Sequence, residues 1–266
     1  MDKQTKSSGE PDYMIKSVQR ALEIMQLFLP DNRPLTQQEI CQKTGMNKST
    51  VLRMVYTLTS EGFLKQQEEG RGYIIGTEAM RIGLCAVDAL NLTKVANPIL
   101  RRLSDETSFY THLAILERNN VVVVAKTFPA YVPFSVRLQS TVGGILPIYC
   151  TGIGLLFLSQ MQDDQILEIL QNCERIKYTT TTETEIDTIM QRIQEIRQTD
   201  FVMNNGEHDE GVVSVCFPIY DHSRKMVAGM SLGGIREVFY RHNVEKIKES
   251  ARRAALDISR ELGYYT

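Results

Sequence analysis

Residues 35–64, LTQQEICQKTGMNKSTVLRMVYTLTSEGFL, decide the fold of the first part of the chain. Thr36 can cap a helix with its hydroxyl while Glu39, three residues on, returns its carboxylate to the cap, which is a capping box. The predicted helix runs from Gln37 to about Thr44, and Gly45 supplies the left-handed turn that stops it. After Met46-Asn47, a second helix spans about Lys48 to Glu61 and ends at Gly62. Two helices around a tight glycine turn form a helix-turn-helix pattern. In the second helix Val51, Val55 and Leu58, with Leu52 alongside, repeat at helical spacing and are expected to pack inward. Lys48, Ser49, Thr50, Arg53 and Tyr56 are left on the outward or N-terminal side. From Lys43 to Arg53 there are three basic residues and no acidic one. Hydroxyls suit phosphates or base edges, and an arginine can grip guanine through two hydrogen bonds.

Working outward, residues 14–29, MIKSVQRALEIMQLFL, place Ile15, Val18, Leu22, Met25 and Leu29 on one helical face. The run Pro30-Asp31-Asn32-Arg33-Pro34 ends that helix. Downstream, Phe63-Leu64-Lys65 pairs with Gly72-Tyr73-Ile74-Ile75 across the polar tip 66–71, a hairpin that would serve as a wing with Arg71 near its tip. Taken alone, the helix-turn-helix spacing also fits a small packing module whose polar face meets water. Helical spacing returns at 77–89 and 92–108. Residues 109–137 are strand-like, with Val121 to Ala125 the clearest β run. Gly143-Gly144 breaks the chain before a helix near Thr151, and further helices are expected at 163–171 and 183–199. Strands at 212–220 and 226–233 join through Asp221 to Arg224, and a long amphipathic helix over about 237–262 closes the chain. The first residues, 1–13, are polar without an apolar core, which predicts a disordered tail rather than a signal peptide.

Composition sets outer limits. Hydrophobic residues make up 42% of the 266 and charged residues 23%, which excludes wholesale disorder. No stretch approaches the roughly 18 uncharged apolar residues of a membrane helix. Five cysteines without a CxxC spacing argue against a disulfide framework or a cysteine-rich zinc site, and for a reducing cytoplasm. The net charge of −2 gives no global pull toward nucleic acid, so any DNA binding must come from a local basic surface.

Several segments together resemble the IclR family of bacterial transcription regulators. They are Ser17 to Leu22, Leu35-Thr36, Thr44 to Arg53, Leu58 to Leu64 and Gly72 to Gly76, then Leu146 to Gly154, Asp209 to Ile219 and Ser231 to Gly234. The resemblance runs in order along nearly the whole chain. It implies an α+β chain: a disordered tail at 1–13, a winged helix-turn-helix at 14–76, a linker helix at 77–91 and a GAF-like α/β effector-binding domain at 92–266. It also implies homodimers or homotetramers on palindromic operators, a small organic acid effector, and no cofactor, metal or membrane partner. By resemblance Lys48, Ser49, Thr50 and Arg53 contact DNA. The effector's carboxylate would meet the helix start at Gly152 and Ile153. Backbone N–H groups at a helix start, unblocked by large side chains, make an anion site, although such glycines also serve simple helix packing. Further polar contacts would come from Asn204, Ser214 and Ser231, and apolar walls from Leu138, Leu146 and Val212.

The sequence also departs from the family pattern. Leu155 stands where a lysine is common, Gly233 where a serine is common, and neutral Asn204 where an acid is usual. Fewer charged groups lead one to expect a less polar effector with an aromatic or longer apolar body. His208 beside Asp209 and Glu210 could bind a metal, but a solvated loop is the simpler reading. Ser214 or Cys216 with His208 could form a nucleophile and base, yet no nucleophile elbow supports an enzyme. The expected function is a cytoplasmic, ligand-responsive DNA-binding regulator. The alternative is a small-molecule sensor that signals through protein contacts.

Overall fold

The computed structural model describes residues 13–29, 33–67, 72–89, 91–130 and 140–265. The tail before residue 13, the expected helix stop at residues 30–32, most of the hairpin tip with Arg71, the strand-like stretch 131–137 and Leu138 lie outside the described residues. The chain divides into two compact units between Ala86 and Val87.

The first unit contains helices α1 (Lys16–Gln26), α2 (Gln37–Thr44) and α3 (Lys48–Ser60), strands β1 (Leu64–Gln66) and β2 (Tyr73–Ile75), and most of α4 (Thr77–Ala89). The capping box forms: Thr36 Oγ1 accepts from Glu39 N at 3.2 Å, and Glu39 Oε2 accepts from Thr36 N at 2.8 Å. These bonds and Arg33 hold the Glu39 carboxyl down to about 2. Gly45 adopts φ +67°, the left-handed turn expected of it. The wing is pinned to the helices, because Leu35 and Tyr73 exchange backbone hydrogen bonds at 3.0 and 2.9 Å. Gly72, at φ +105°, passes so close to Leu35 that an added Cβ would lie 2.6 Å from the Leu35 carbonyl oxygen.

Ile24, Phe28, Leu35, Ile40, Val51, Val55 and Leu64 form the core of this unit. Two sequence expectations change here. The apolar face of α1 is turned mostly to solvent: Ile15, Val18 and Leu22 are 65, 52 and 56% exposed, while Ile24 and Phe28 fill the core. The helix therefore carries two apolar stripes, of which packing against α2 and α3 covers one. Leu52 is 53% exposed rather than inward. It stands one residue, about 100° of helical turn, from Val51, so it cannot share the face of Val51 and Val55.

The second unit continues with α5 (Asn91–Thr107), β3 (Tyr110–Glu117), β4 (Asn120–Thr127), β5 (Ile145–Leu146), α6 (Gly152–Ser159), α7 (Asp163–Asn172) and α8 (Ile186–Ile196). It ends with β6 (Val202–Asn205), β7 (Val212–Tyr220), β8 (Met226–Ile235), α9 (Arg236–Phe239) and α10 (Val244–Glu261). Six strands form one antiparallel sheet in the order β5-β4-β3-β8-β7-β6. One face packs on α5 and α10 through residues such as Val213, Val215, Phe217, Met230 and Leu232. The other face, with Ala114, Val123, Val202 and Cys216, packs on α6, α7 and α8. The expected closing helix is split, because the Asn243 side chain accepts from Lys246 N at 3.2 Å and so starts α10 afresh. Strand β6 was not legible in advance: four residues, half of them asparagine, carry too little apolar pattern.

Candidate functional site

Two surfaces concentrate the chemistry, one in each unit. In the first, Asn47 caps α3, its Oδ1 accepting from Thr50 N at 2.9 Å and from Ser49 Oγ at 2.8 Å. Gln37 Nε2 donates to Lys48 O at 3.2 Å and ties the start of α3 to α2. Lys48, Ser49, Arg53 and Tyr56 are exposed and Thr50 is half-buried, so the five expected positions flank one outward, helix-start surface. Among the described residues neither Lys48 nor Arg53 enters an ion pair, and both charges are available to an anionic partner. Leu52 joins this surface between Ser49 and Tyr56. Its sequence signal was the one-residue offset from Val51.

The second surface follows from strand alternation. Since Val213, Val215 and Phe217 face α5 and α10, Ser214 and Cys216 must face the other way. The register places Cys216 opposite Ser231, Ser231 opposite His112, and His112 opposite Lys126. One step along, Asn204 pairs with Ser214, Ser214 with Gly233, and Gly233 with Tyr110. Two transverse rows of polar residues thus cross the sheet beneath the start of α6. A cavity of about 50 Å³ lies there. Seven of the eight expected residues line it: Gly152, Ile153, Asn204, Ser214, Ser231, Leu146 and Val212. Tyr110, His112, Ser140, Thr151, His208, Asp209 and Cys216 line it too and were not anticipated as a group. The period-two pattern of β3 puts Tyr110 and His112 together on the face opposite Leu113, but only the strand register brings that face to the cavity.

At the helix start, Thr151 Oγ1 accepts from Gly154 N at 3.3 Å and Thr151 O accepts from Leu155 N at 2.9 Å. The N–H groups of Gly152 and Ile153 have no hydrogen-bond partner among the described residues. The two glycines also have a packing role. A Cβ on Gly152 would lie 2.4 Å from Cys216 Sγ, and one on Gly154 would lie 2.2 Å from Ile148 O. Asn204 is largely committed, donating from Nδ2 to Cys150 O at 2.9 Å and accepting from Glu207 N at 3.4 Å.

The departures from the family pattern find physical reasons. Every residue of α6 is buried, so Leu155 fits where a lysine would need a partner for its charge. A Cβ on Gly233 would stand 2.7 Å from Tyr110 Oη, so the tyrosine hydroxyl occupies the space a serine would take. The lining is more polar than those departures led one to expect, because Tyr110, His112, His208 and Asp209 contribute to it.

Burial pushes the His112 imidazole down to about 3, with the Lys126 ammonium acting in the same direction. His112 is therefore neutral at pH 7, and its Nε2 lies 3.2 Å from Ser140 Oγ. Burial pushes Lys126 down to about 8. Its Nζ donates to Ser140 O at 2.7 Å. His208 does not lie in a solvated loop: its side chain is 11% exposed, bonded through Nδ1 to Asp209 Oδ2 at 3.1 Å and packed on the Tyr178 ring. No cluster of three or more metal-ligating side chains occurs among the described residues. Burial pushes the Cys216 thiol up to about 12, so it is no thiolate nucleophile at neutral pH. No helix among the described residues is long and apolar enough to cross a membrane.

Comparison with known proteins covers both units. Residues 17–68 match the IclR helix-turn-helix domain, and residues 84–260 match the domain described as bacterial transcriptional regulator IclR C-terminal. The chain is 28% identical over 250 residues to the HTH-type transcriptional regulator KipR of Bacillus subtilis, covering 94% of this chain and 98% of that one. It is 27% identical over 256 residues to the HTH-type transcriptional regulator KdgR of Escherichia coli, covering 96% of this chain and 95% of that one. Both are named as transcription regulators rather than enzymes. Among solved structures, an IclR transcriptional regulator from Alicyclobacillus acidocaldarius superposes with a TM-score of 0.81 at 24% identity, over 93% of this chain and 99% of that one. An IclR homolog from Microbacterium hydrocarbonoxydans, complexed with 4-hydroxybenzoate, has the same score of 0.81 at 22% identity, over 93% and 99% of the two chains. The chain belongs to the IclR family of bacterial transcriptional regulators.

Proposed function

We propose that this regulator binds a palindromic operator as a homodimer in the cytoplasm, and that a small organic acid in the cavity of the second unit changes its operator affinity. The reading rests on one observation above others: one chain carries an outward, cationic recognition-type helix and, in a separate compact unit, a polar cavity beside unpaired helix-start N–H groups. In this reading Lys48, Ser49 and Thr50 hold phosphates at the helix start, and Arg53 reads a guanine in the major groove. Leu52 and Tyr56 offer apolar contact to a thymine methyl. The effector carboxylate accepts from the N–H groups of Gly152 and Ile153, with Ser214 and Ser231 as further partners and Leu146 and Val212 as walls.

Two half-sites of a palindrome need two copies of α3 related by a two-fold axis. The exposed stripe formed by Val18 and Leu22 of α1, with Tyr13, Met14 and Ile15 just before it, is apolar surface suited to self-association. Effector coupling is limited to the effector's differential affinity for two states, typically about 1–3 kcal/mol. The test is a thermal-shift screen of the full chain against small carboxylates, followed by gel-shift with each hit. A carboxylate that both stabilises the protein and alters operator affinity supports the reading. Stabilisation of the protein without any change in operator affinity refutes the coupling.

A further inference from the structure

His112 is 7% exposed and lines the cavity from β3. The strand register seats it in a polar row, with Ser231 on one side and Lys126 on the other. The titratable groups around it are Lys126 from β4, Tyr110 from β3, and His208 and Asp209 from the loop before β7. Of its two ring nitrogens, Nε2 lies 3.2 Å from Ser140 Oγ, whereas Nδ1 makes no hydrogen bond among the described residues. Nor is Nδ1 sealed in: among those residues, the fully buried side-chain polar atoms without a partner are Thr59 Oγ1, Thr111 Oγ1 and Arg236 Nε. Nδ1 therefore opens on space, and the cavity is the space that His112 borders. A ring nitrogen left there without a partner is costly unless something supplies one.

Proton counting decides what Nδ1 offers. Lys126 Nζ can only donate, and it lies 2.7 Å from Ser140 O and 3.4 Å from Ser140 Oγ. Ser140 Oγ thus accepts from Lys126 and keeps its own proton to give, and His112 Nε2 is the acceptor within its reach. An imidazole that is neutral at pH 7 and accepts at Nε2 carries its proton on Nδ1. We propose that His112 recognises the effector by donating from Nδ1–H to one of its oxygens, and that Lys126 fixes this tautomer through Ser140. A carboxylate or carbonyl oxygen accepts that proton, whereas an ammonium or a methyl does not. The inference rests on the reading of the cavity as a carboxylate site and adds His112 to the donors assigned at Gly152 and Ile153.

Nuclear magnetic resonance of the full chain tests this. The chain has four histidines, so ¹⁵N labelling of histidine gives four rings, and long-range ¹H–¹⁵N correlations show which nitrogen of each carries the proton. His112→Asn identifies the His112 signals by their loss. The expected free state has the proton on Nδ1 and none on Nε2, and Ser140→Ala or Lys126→Met should bring in the Nε2–H tautomer. Titration with acetate, propionate and pyruvate should then move His112 Nδ1 together with the backbone amides of Gly152 and Ile153. By isothermal titration, His112→Leu should weaken the tightest of these acids about tenfold or more, and His112→Asn, which keeps an N–H near the Nδ1 position, should restore much of the loss. A proton on Nε2 in the wild-type protein overturns the tautomer and with it this inference. A tautomer unchanged in both Ser140→Ala and Lys126→Met overturns the role of Lys126. Amides that move while His112 Nδ1 stays still, or equal affinity in His112→Leu, overturn the contact and leave the carboxylate site standing. No movement at His112 or at either amide with any of the acids overturns the carboxylate reading and this inference with it.

Discussion

Replacing Gly152 by alanine would place a methyl carbon 2.4 Å from Cys216 Sγ, 3.3 Å from Cys216 Cβ and 3.5 Å from Asn204 Cβ. The first contact is impossible without movement, and Cys216 lies in the middle of β7, held by ladders to β6 and β8. Overpacking of this kind costs about 1–3 kcal/mol, and the better helix propensity of alanine returns at most about 1. The expected net loss is about 1–2 kcal/mol. Cys216→Ala alone should cost about 1 kcal/mol for the lost buried sulfur. In the double variant the sulfur is gone, the nearest atom is the Cβ at 3.3 Å, and α6 need give only a few tenths of an ångström. The two costs should therefore not add: a double-mutant cycle should show a favourable coupling of about 1–2 kcal/mol. The chain has no tryptophan, so urea unfolding is best followed by far-UV circular dichroism. Additive losses would refute the claim that Gly152 is fixed by contact with Cys216.

Arg53→Ala should weaken operator binding by about 1–3 kcal/mol and relax preference at one base pair, checked by competition gel-shift against operators mutated one pair at a time. Acid should destabilise the second unit through His112, whose folded value of about 3 lies below the ordinary 6.5. Between those pH values the unfolded chain binds a proton that the folded chain does not, so stability falls as pH drops, with a limiting slope of about 1.4 kcal/mol per pH unit. His112→Asn should flatten that slope in urea titrations at pH 4 to 6.5. Charge on the exposed α1 stripe, as in Leu22→Glu, should shift the proposed dimer toward monomer in sedimentation velocity while leaving the fold intact, since Leu22 is 56% exposed.

Much of the first unit was legible because its signals are local. Thr36 and Glu39 cap within one turn, Gly45 needs a left-handed φ, and Val51 and Val55 mark the inner face within a single helix. Helix α2 accordingly keeps its expected bounds, Gln37–Thr44. Leu52 and the α1 stripe were less legible because helical spacing identifies an apolar face but not its neighbour. The cavity illustrates the same limit at longer range. Gly152, Ser214 and Ser231 came from resemblance along the chain, whereas Tyr110, His112, His208 and Asp209 join them only through the register of β3, β8 and β7 and the loop before β7. Strand pairing over a hundred residues of sequence leaves no local mark, so the groups that make this cavity polar could not be collected from the sequence alone.

The most direct measurement is fluorescence anisotropy of the full chain on a near-palindromic DNA duplex from upstream of the neighbouring operon, beside a scrambled duplex, at a series of salt concentrations. An acidic protein of net charge −2 can hold DNA only through local cations such as Lys48 and Arg53. With roughly six to ten phosphate contacts in the proposed dimer, affinity should fall by about 10³–10⁵ between 50 and 200 mM salt. At a fixed salt the palindrome should bind about 10³-fold or more tighter than the scrambled duplex. Equal affinity for both duplexes, or binding that ignores salt, would contradict the account.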